Sequence, residues 1–228
     1  MTDEEKKREI VVPGEVIVEG IDYLPGDGTE KKGEKIIALQ YGLAEENNNL
    51  VRIIPLSGVY QVRRGNVVIG KVVDLTFNGW LVDIGTANNS FLPVSEFPRY
   101  INANELAEHL DIGEMLVAKV LGVKRKGVDL TVKGRGLGGL EDGLIIKVNP
   151  NKVPRVIGKE GSMVNLIKDE TGCNITVGQN GLIWIKGDKI ESELLAKRAI
   201  VFITERSFVS GLTEKVKEWF DGIKGGKE

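Results

Sequence analysis

The sequence holds one cysteine, Cys173, and one histidine, His109, in 228 residues. A single thiol excludes a disulfide within the chain, and the two together cannot make a Cys/His zinc site of the usual four-ligand kind. A Ser-His-Asp or Cys-His nucleophilic device would have to rest on His109 alone. No apolar run approaches the ~18 residues that cross a bilayer. The opening Met1-Thr2-Asp3-Glu4-Glu5-Lys6-Lys7-Arg8 has no apolar signal region. Carboxylate pairs such as Asp22/Asp27 and Asp74/Asp83 lack a third partner that would make them a cation site. The expectation is a soluble protein of a reducing compartment, cytoplasmic, with no catalytic residue, no metal, no cofactor and no membrane partner.

Glycine is what the chain has in excess, 29 of 228 residues, nearly twice the ordinary ~7%. Without a collagen period, that density predicts tight turns between short strands. The net charge is −2, which by itself argues against a polyanionic partner, but the charge is unevenly spread. Residues 1–62 are acidic. Residues 119–135 hold Lys119, Lys124, Arg125, Lys126, Lys133 and Arg135 against Asp129 alone, and residues 147–168 hold five basic side chains against Glu160 alone. Local patches of this kind attract phosphates over a Debye length of ~8 Å whatever the total charge.

Three textures follow one another, and the fold class they predict is multidomain. Residues 1–62 read as a small all-β N-terminal unit, with strands at 9–12, 15–19, 35–40 and 50–54, turns at Pro13-Gly14 and Pro25–Gly28, and a loop at Asn47-Asn48-Asn49. Nothing in it carries chemistry, so its expected task is partner binding. Residues 63–136 read as five strands with a helical insert at 102–110, an OB-type β-barrel. Residues 141–228 read as β-α-GxxG-α-β-β-α followed by an amphipathic tail helix through Leu212, Val216, Trp219, Phe220 and Ile223. That is the order of an α+β type I KH domain. Gly134–Gly139 matches the GxGxxG spacing, but no βαβ unit follows, so it reads as a hinge between modules. Cys173 reads as buried packing, and His109 as an exposed residue of the insert.

The strongest motif is Val156-Ile157-Gly158-Lys159-Glu160-Gly161-Ser162. Two glycines between helical segments let a sugar-phosphate backbone approach without Cβ interference, and the next helix offers free N–H groups to phosphate. In a KH module this loop clamps about four nucleotides. The candidate RNA-binding residues here are Arg155, Ile157, Gly158, Lys159, Gly161, Ser162 and Ile175, with Ile157 and Ile175 expected on the floor of the base groove.

In the middle module, Gly70-Lys71-Val72-Val73, Gly79–Gly85 and Phe91–Glu96 resemble the S1-type RNA-binding OB domain. Leu81, Asn78 and Pro93 stand where that family has two aromatics and a histidine. The expectation is therefore electrostatic tracking of a single strand by Arg64, Lys71, Asn78, Lys124, Arg125 and Lys126 rather than base stacking. Trp80 alternates with Val82 and Ile84, which leaves it open whether the ring is core or stacking surface.

An acidic β unit, an S1-type barrel and one KH module in this order resemble the archaeal exosome RNA-binding cap subunit of the S1–KH kind. Val12-Pro13-Gly14-Glu15 and Ile53–Tyr60 look like that family's first domain. The resemblance implies single-stranded RNA as ligand and, as partner, a hexameric ring of RNase PH-like subunits carrying three copies of this chain. It also implies a non-catalytic role, guiding RNA to the central pore for 3′-to-5′ degradation. The competing readings are a free S1–KH regulator of transcription or translation, and a self-contained nuclease.

Overall fold

The computed structural model describes residues 9–102, 105–125, 127–206 and 211–226. The chain divides into two compact units, one ending at Val59 and one beginning at Tyr60.

The first unit is entirely β. Its strands are β1 (Glu9–Val11), β2 (Val16–Glu19), β3 (Leu24–Pro25), β4 (Thr29–Lys32), β5 (Lys35–Ala38), β6 (Gly42–Asn47) and β7 (Leu50–Pro55). They form two sheets, ordered β1-β6-β7-β3 and β2-β5-β4. The strands β3, β4 and β6 lay outside the sequence reading. In β6, Gly-Leu-Ala-Glu-Glu-Asn has weak β-propensity, and pairing supplies the order instead. Asn47 faces Leu50 across the β6–β7 hairpin, and the two residues between them, Asn48 and Asn49, both have positive φ, 49° and 64°. Asparagine tolerates that region better than most residues, and two positive φ values in a two-residue loop match the twist of the hairpin. The small core of this unit gathers Val11, Ala38, Ala44 and Ile53.

The second unit opens with a closed barrel made of β8 (Val67–Thr76), β9 (Gly79–Asp83), β10 (Ser90–Pro93), β11 (Met115–Lys124) and β12 (Gly127–Thr131). The strands run β12-β10-β9-β8-β11, and β11 pairs with β12 to close the circle. The β10–β12 contact is parallel, while the other pairs are antiparallel. A short helix, α1 (Leu106–His109), follows β10. It buries Leu106, and Leu110 just after it, into the barrel core beside Trp80, Val82, Leu92, Leu116 and Leu130. His109 is half-buried and lies with its ring 5.6 Å from that of Phe97, rather than standing free in solvent.

The expected hinge is a docked segment. Gly138–Gly139 forms a short strand, β13, against Leu116 and Val117 of β11, and the Leu140 N–H donates to Met115 O at 2.7 Å. Beyond it come β14 (Leu144–Lys147), α2 (Val153–Ile157), α3 (Ser162–Thr171), β15 (Asn174–Val177), β16 (Leu182–Lys186), α4 (Ile190–Glu205) and α5 (Leu212–Gly225). The sheet is ordered β14-β16-β15, antiparallel throughout, and this is a type I KH fold. Helix α3 stops at Gly172, which takes φ 68° and donates its N–H to Lys168 O, the left-handed end that glycine adopts without steric cost. Ala196, Ala199, Ile200 and Ile203 of α4 share one core with Val216 and Phe220 of α5, so the tail helix packs on its own module. Among the described residues no helix is long and apolar enough to cross a membrane.

Candidate nucleic-acid interface

Helix α2 lasts only five residues because Gly158 turns the chain out of it, with φ 74° and ψ 176°. Gly161 then brings the chain into α3 at φ 82° and ψ 7°. The two glycines have different jobs. A Cβ on Gly158 would stand 2.7 Å from the Met163 backbone nitrogen and 2.8 Å from Met163 Cβ, so no side chain fits there. A Cβ on Gly161 would meet nothing nearer than Asn165 Nδ2 at 3.6 Å. Gly158 closes the bend, and Gly161 leaves it open. No side chain caps the N-terminus of α3, so its first N–H groups remain available to an anion. Glu160 takes φ 54°, an uncommon conformation for a residue with a side chain, and it is exposed along with Lys159, Arg155 and Ser162. Among the described residues Arg155 and Lys159 join no ion pair. Ile157 is half-buried beside the loop. Ile175 corrects the expectation. It is only 4% exposed and belongs to the module's core, held there by its place on β15 opposite Ile185 of β16.

On the barrel the expected cations do not form one patch. Lys71 is exposed on β8, and Asn78 is exposed at the β8–β9 tip, where its Oδ1 takes the Thr76 hydroxyl and its carbonyl takes the Val94 N–H. Lys124 pairs with Asp129 at 2.5 Å across the β11–β12 hairpin, so its charge is largely answered within the hairpin. Arg125 is exposed, and Lys126 lies outside the described residues. Arg64 sits in the loop before β8, beside Lys119 rather than the hairpin. Trp80 is fully buried and donates from Nε1 to Leu110 O at 2.9 Å, so it is core. Phe77, at the same tip as Asn78, is 84% exposed, and its ring is open to a base. Among the described residues no three His, Cys, Asp or Glu side chains gather as metal ligands.

The model of the KH domain matches residues 143–191. The exosome complex component Rrp4 of Methanothermobacter thermautotrophicus is 41% identical over 221 residues, covering 96% of this chain and 70% of that protein. That of Methanothermus fervidus is 43% identical over 215 residues, covering 94% and 96%. The chain belongs to the Rrp4 family of exosome components. A solved structure of an exosome complex RNA-binding protein is 32% identical, with a TM-score of 0.66, and covers 75% of this chain and all of that one.

The feature of this Rrp4-family chain that sequence reasoning missed is the seam between barrel and KH module. The β15–β16 turn, read in the sequence as a plain hairpin loop, inserts into the free side of β8. Asn180 donates from Nδ2 to Ile69 O at 2.7 Å and to Ile84 O at 2.9 Å, and its Oδ1 accepts from the Ile69 N–H at 3.2 Å. Gln179 completes the ladder, its N–H donating to Val67 O and its Oε1 accepting from the Val67 N–H, both at 2.8 Å. Asn180 is 6% exposed. A polar residue between two glycines, Gly178 and Gly181, was the available signal, but turns on the surface use the same residues.

Proposed function

We propose that this chain is a non-catalytic RNA-binding subunit of an archaeal exosome. It sits as one of three caps on a hexameric ring of RNase PH-like subunits, captures single-stranded RNA and guides it to the central pore for 3′-to-5′ degradation. The observation that carries this reading is the open backbone at Gly161, set at an uncapped helix N-terminus beside Arg155 and Lys159, which join no ion pair among the described residues. The names of the relatives support the assembly. The first unit leaves Ile10, Val12, Ile21, Leu24 and Leu39 more than half exposed, apolar side chains that a partner surface would cover. Single-stranded RNA suits the KH loop, which clamps about four nucleotides.

Gly161→Asp is the test. Position 161 has room for a side chain, and aspartate tolerates positive φ better than most residues, so the fold should survive while a negative charge enters the phosphate path. A like charge about 4 Å away costs about 1–4 kcal/mol between bulk water and a protein surface, so RNA affinity measured by fluorescence anisotropy should fall at least about fivefold. Gly161→Asn, of the same shape without the charge, should lose less. Unchanged affinity in Gly161→Asp would refute the KH role. Native mass spectrometry of the chain isolated with its partners tests the assembly, and a chain found alone would favour the free-regulator reading.

A further inference from the structure

One end of the barrel carries an open cleft of about 370 Å³ lined by Arg64, Glu96, Lys119, Leu121, Thr131 and Lys133. Three elements build it. Lys119 and Thr131 face each other across the β11–β12 ladder, and Lys133, just past the end of β12, is held beside them by its N–H donating to Thr131 Oγ1 at 3.1 Å. The Gly65 N–H donates to Val120 O at 2.8 Å, which fixes the loop bearing Arg64 over that ladder. The Val132 N–H donates to Glu96 O at 3.2 Å, which brings in the one carboxylate. Among the described residues, Arg64, Lys119 and Lys133 take part in no ion pair, in contrast to Lys124. Cations gathered without a counter-charge repel one another, and an anion seated among them relieves that repulsion. With Glu96 counted, the cleft keeps a surplus of two positive charges.

Its position says which anion. Arg64 stands three residues before Val67, the residue that Gln179 of the KH hairpin holds through two hydrogen bonds. The same hairpin meets the segment leading into α2, where the Val148 N–H donates to Gly181 O at 2.8 Å. Helix α2, about 7.5 Å long at 1.5 Å per residue, then runs directly to Gly158. The cleft therefore lies beside the seam, while the β11–β12 hairpin lies five residues further along β11, about 17 Å away at 3.4 Å per residue. We infer that the Arg64–Lys119–Lys133 cleft is a phosphate subsite that takes the sugar-phosphate backbone of an RNA strand leaving the KH loop. Glu96 supplies an acceptor for a ribose 2′-hydroxyl, the group that separates RNA from DNA. The inference rests on the RNA-binding reading above.

The full-length chain carrying Arg64→Gln, Lys119→Gln and Lys133→Gln is compared with the parent and with Gly161→Asp. All three cations are exposed, and the fold is checked by circular dichroism. Losing three phosphate contacts should make the slope of log affinity against log salt shallower by about 2 for single-stranded RNA, with roughly tenfold weaker binding near physiological salt, whereas Gly161→Asp, which adds one screened repulsion and removes no cation, should shift the slope by less than about 1. In the unmutated protein, RNA should protect Lys119 and Lys133 from acetylation, and inorganic phosphate at matched ionic strength should not. An unchanged slope, or protection by inorganic phosphate but not by RNA, overturns the inference while a weakened Gly161→Asp leaves the RNA-binding reading standing. If Gly161→Asp also binds normally, that reading fails as well.

Discussion

Replacing Asn180 by alanine should loosen the KH module from the barrel without unfolding either. The carboxamide makes three hydrogen bonds, to Ile69 O, Ile84 O and the Ile69 N–H. Both partner residues are buried, with Ile69 at 0% and Ile84 at 1% exposure. A buried polar group left without a partner costs about 1–3 kcal/mol. Three such groups set the scale at about 3 kcal/mol for breaking the seam, with water entering the vacated space as the limit on anything larger. Hydrogen exchange at the Ile69 amide reads this out directly, because that amide donates to Asn180 Oδ1. About 3 kcal/mol converts to an exchange rate roughly 100-fold faster. The Val120 amide, bonded within the barrel to Asn66 O at 2.8 Å, should keep its protection. Gly178→Ala should act similarly by a steric route, since a Cβ there would stand 2.9 Å from the Ile69 nitrogen and 2.5 Å from Asn180 Oδ1. If Ile69 exchange in Asn180→Ala stays within a few-fold of the parent, the seam is held by something other than this amide.

Burial raises the Tyr60 phenol to about 12 from an ordinary value of 10.0. Its folded value lies above its unfolded one, so the contribution of the neutral phenol is intact below pH 10 and drains away as pH climbs toward 12; melting temperatures should fall across that window and Tyr60→Phe should flatten the fall, an equal slope in both proteins being the refuting result. Trp80→Leu should cost about 3 kcal/mol by chemical denaturation, through lost volume and the lost bond to Leu110 O, with RNA affinity unchanged wherever the variant is folded. Phe77→Ala should do the reverse, leaving stability within about 0.5 kcal/mol and lowering affinity if a base stacks on the ring; the assignment of Trp80 to the core and Phe77 to the surface fails if the two variants exchange these effects. Burial also pushes the Cys173 thiol up, outweighing the Thr171 hydrogen bond that pulls it down, so the native protein should react with a thiol reagent far more slowly than the urea-unfolded chain, and equal rates would contradict it.

Local signals made much of this molecule legible. The KH module announces itself because the glycines flank a short helix-forming run, and a helix period, a strand pair and another helix follow in order. The barrel is legible from β-branched runs cut by turns, and the alternation put Trp80, Val82 and Ile84 on one face while leaving open whether the Trp80 ring was core or stacking surface, which its burial decides. What escaped depends on the third dimension. The Lys124–Asp129 pair exists because the hairpin register, Lys124 opposite Gly127 and Asp129 opposite Gly122, puts the carboxylate on the same face as the lysine and diagonal to it. In the linear sequence the two look like a basic run with one stray acid. Ile175 looks like a groove residue by position, but its pairing opposite Ile185 turns it inward. Asn180 could not be told from a surface turn residue, because its partners are backbone groups more than 90 positions away.

The seam also changes what two weak modules can do together. A KH loop that grips about four nucleotides has modest affinity alone, and a flexible tether would spend part of any second contact on ordering the linker. Here Asn180 and Gln179 fix the barrel beside the KH module in advance, so on the proposed reading a strand held at Gly161 would meet the barrel at a set place and the second contact would be intramolecular. Asn180→Ala should therefore weaken the binding of long single-stranded RNA although Asn180 is buried and touches no ligand. The loss should disappear for an oligonucleotide of about four residues, which fills the KH loop alone. Equal losses on short and long RNA would place the damage inside the KH module and reject a shared path across the seam.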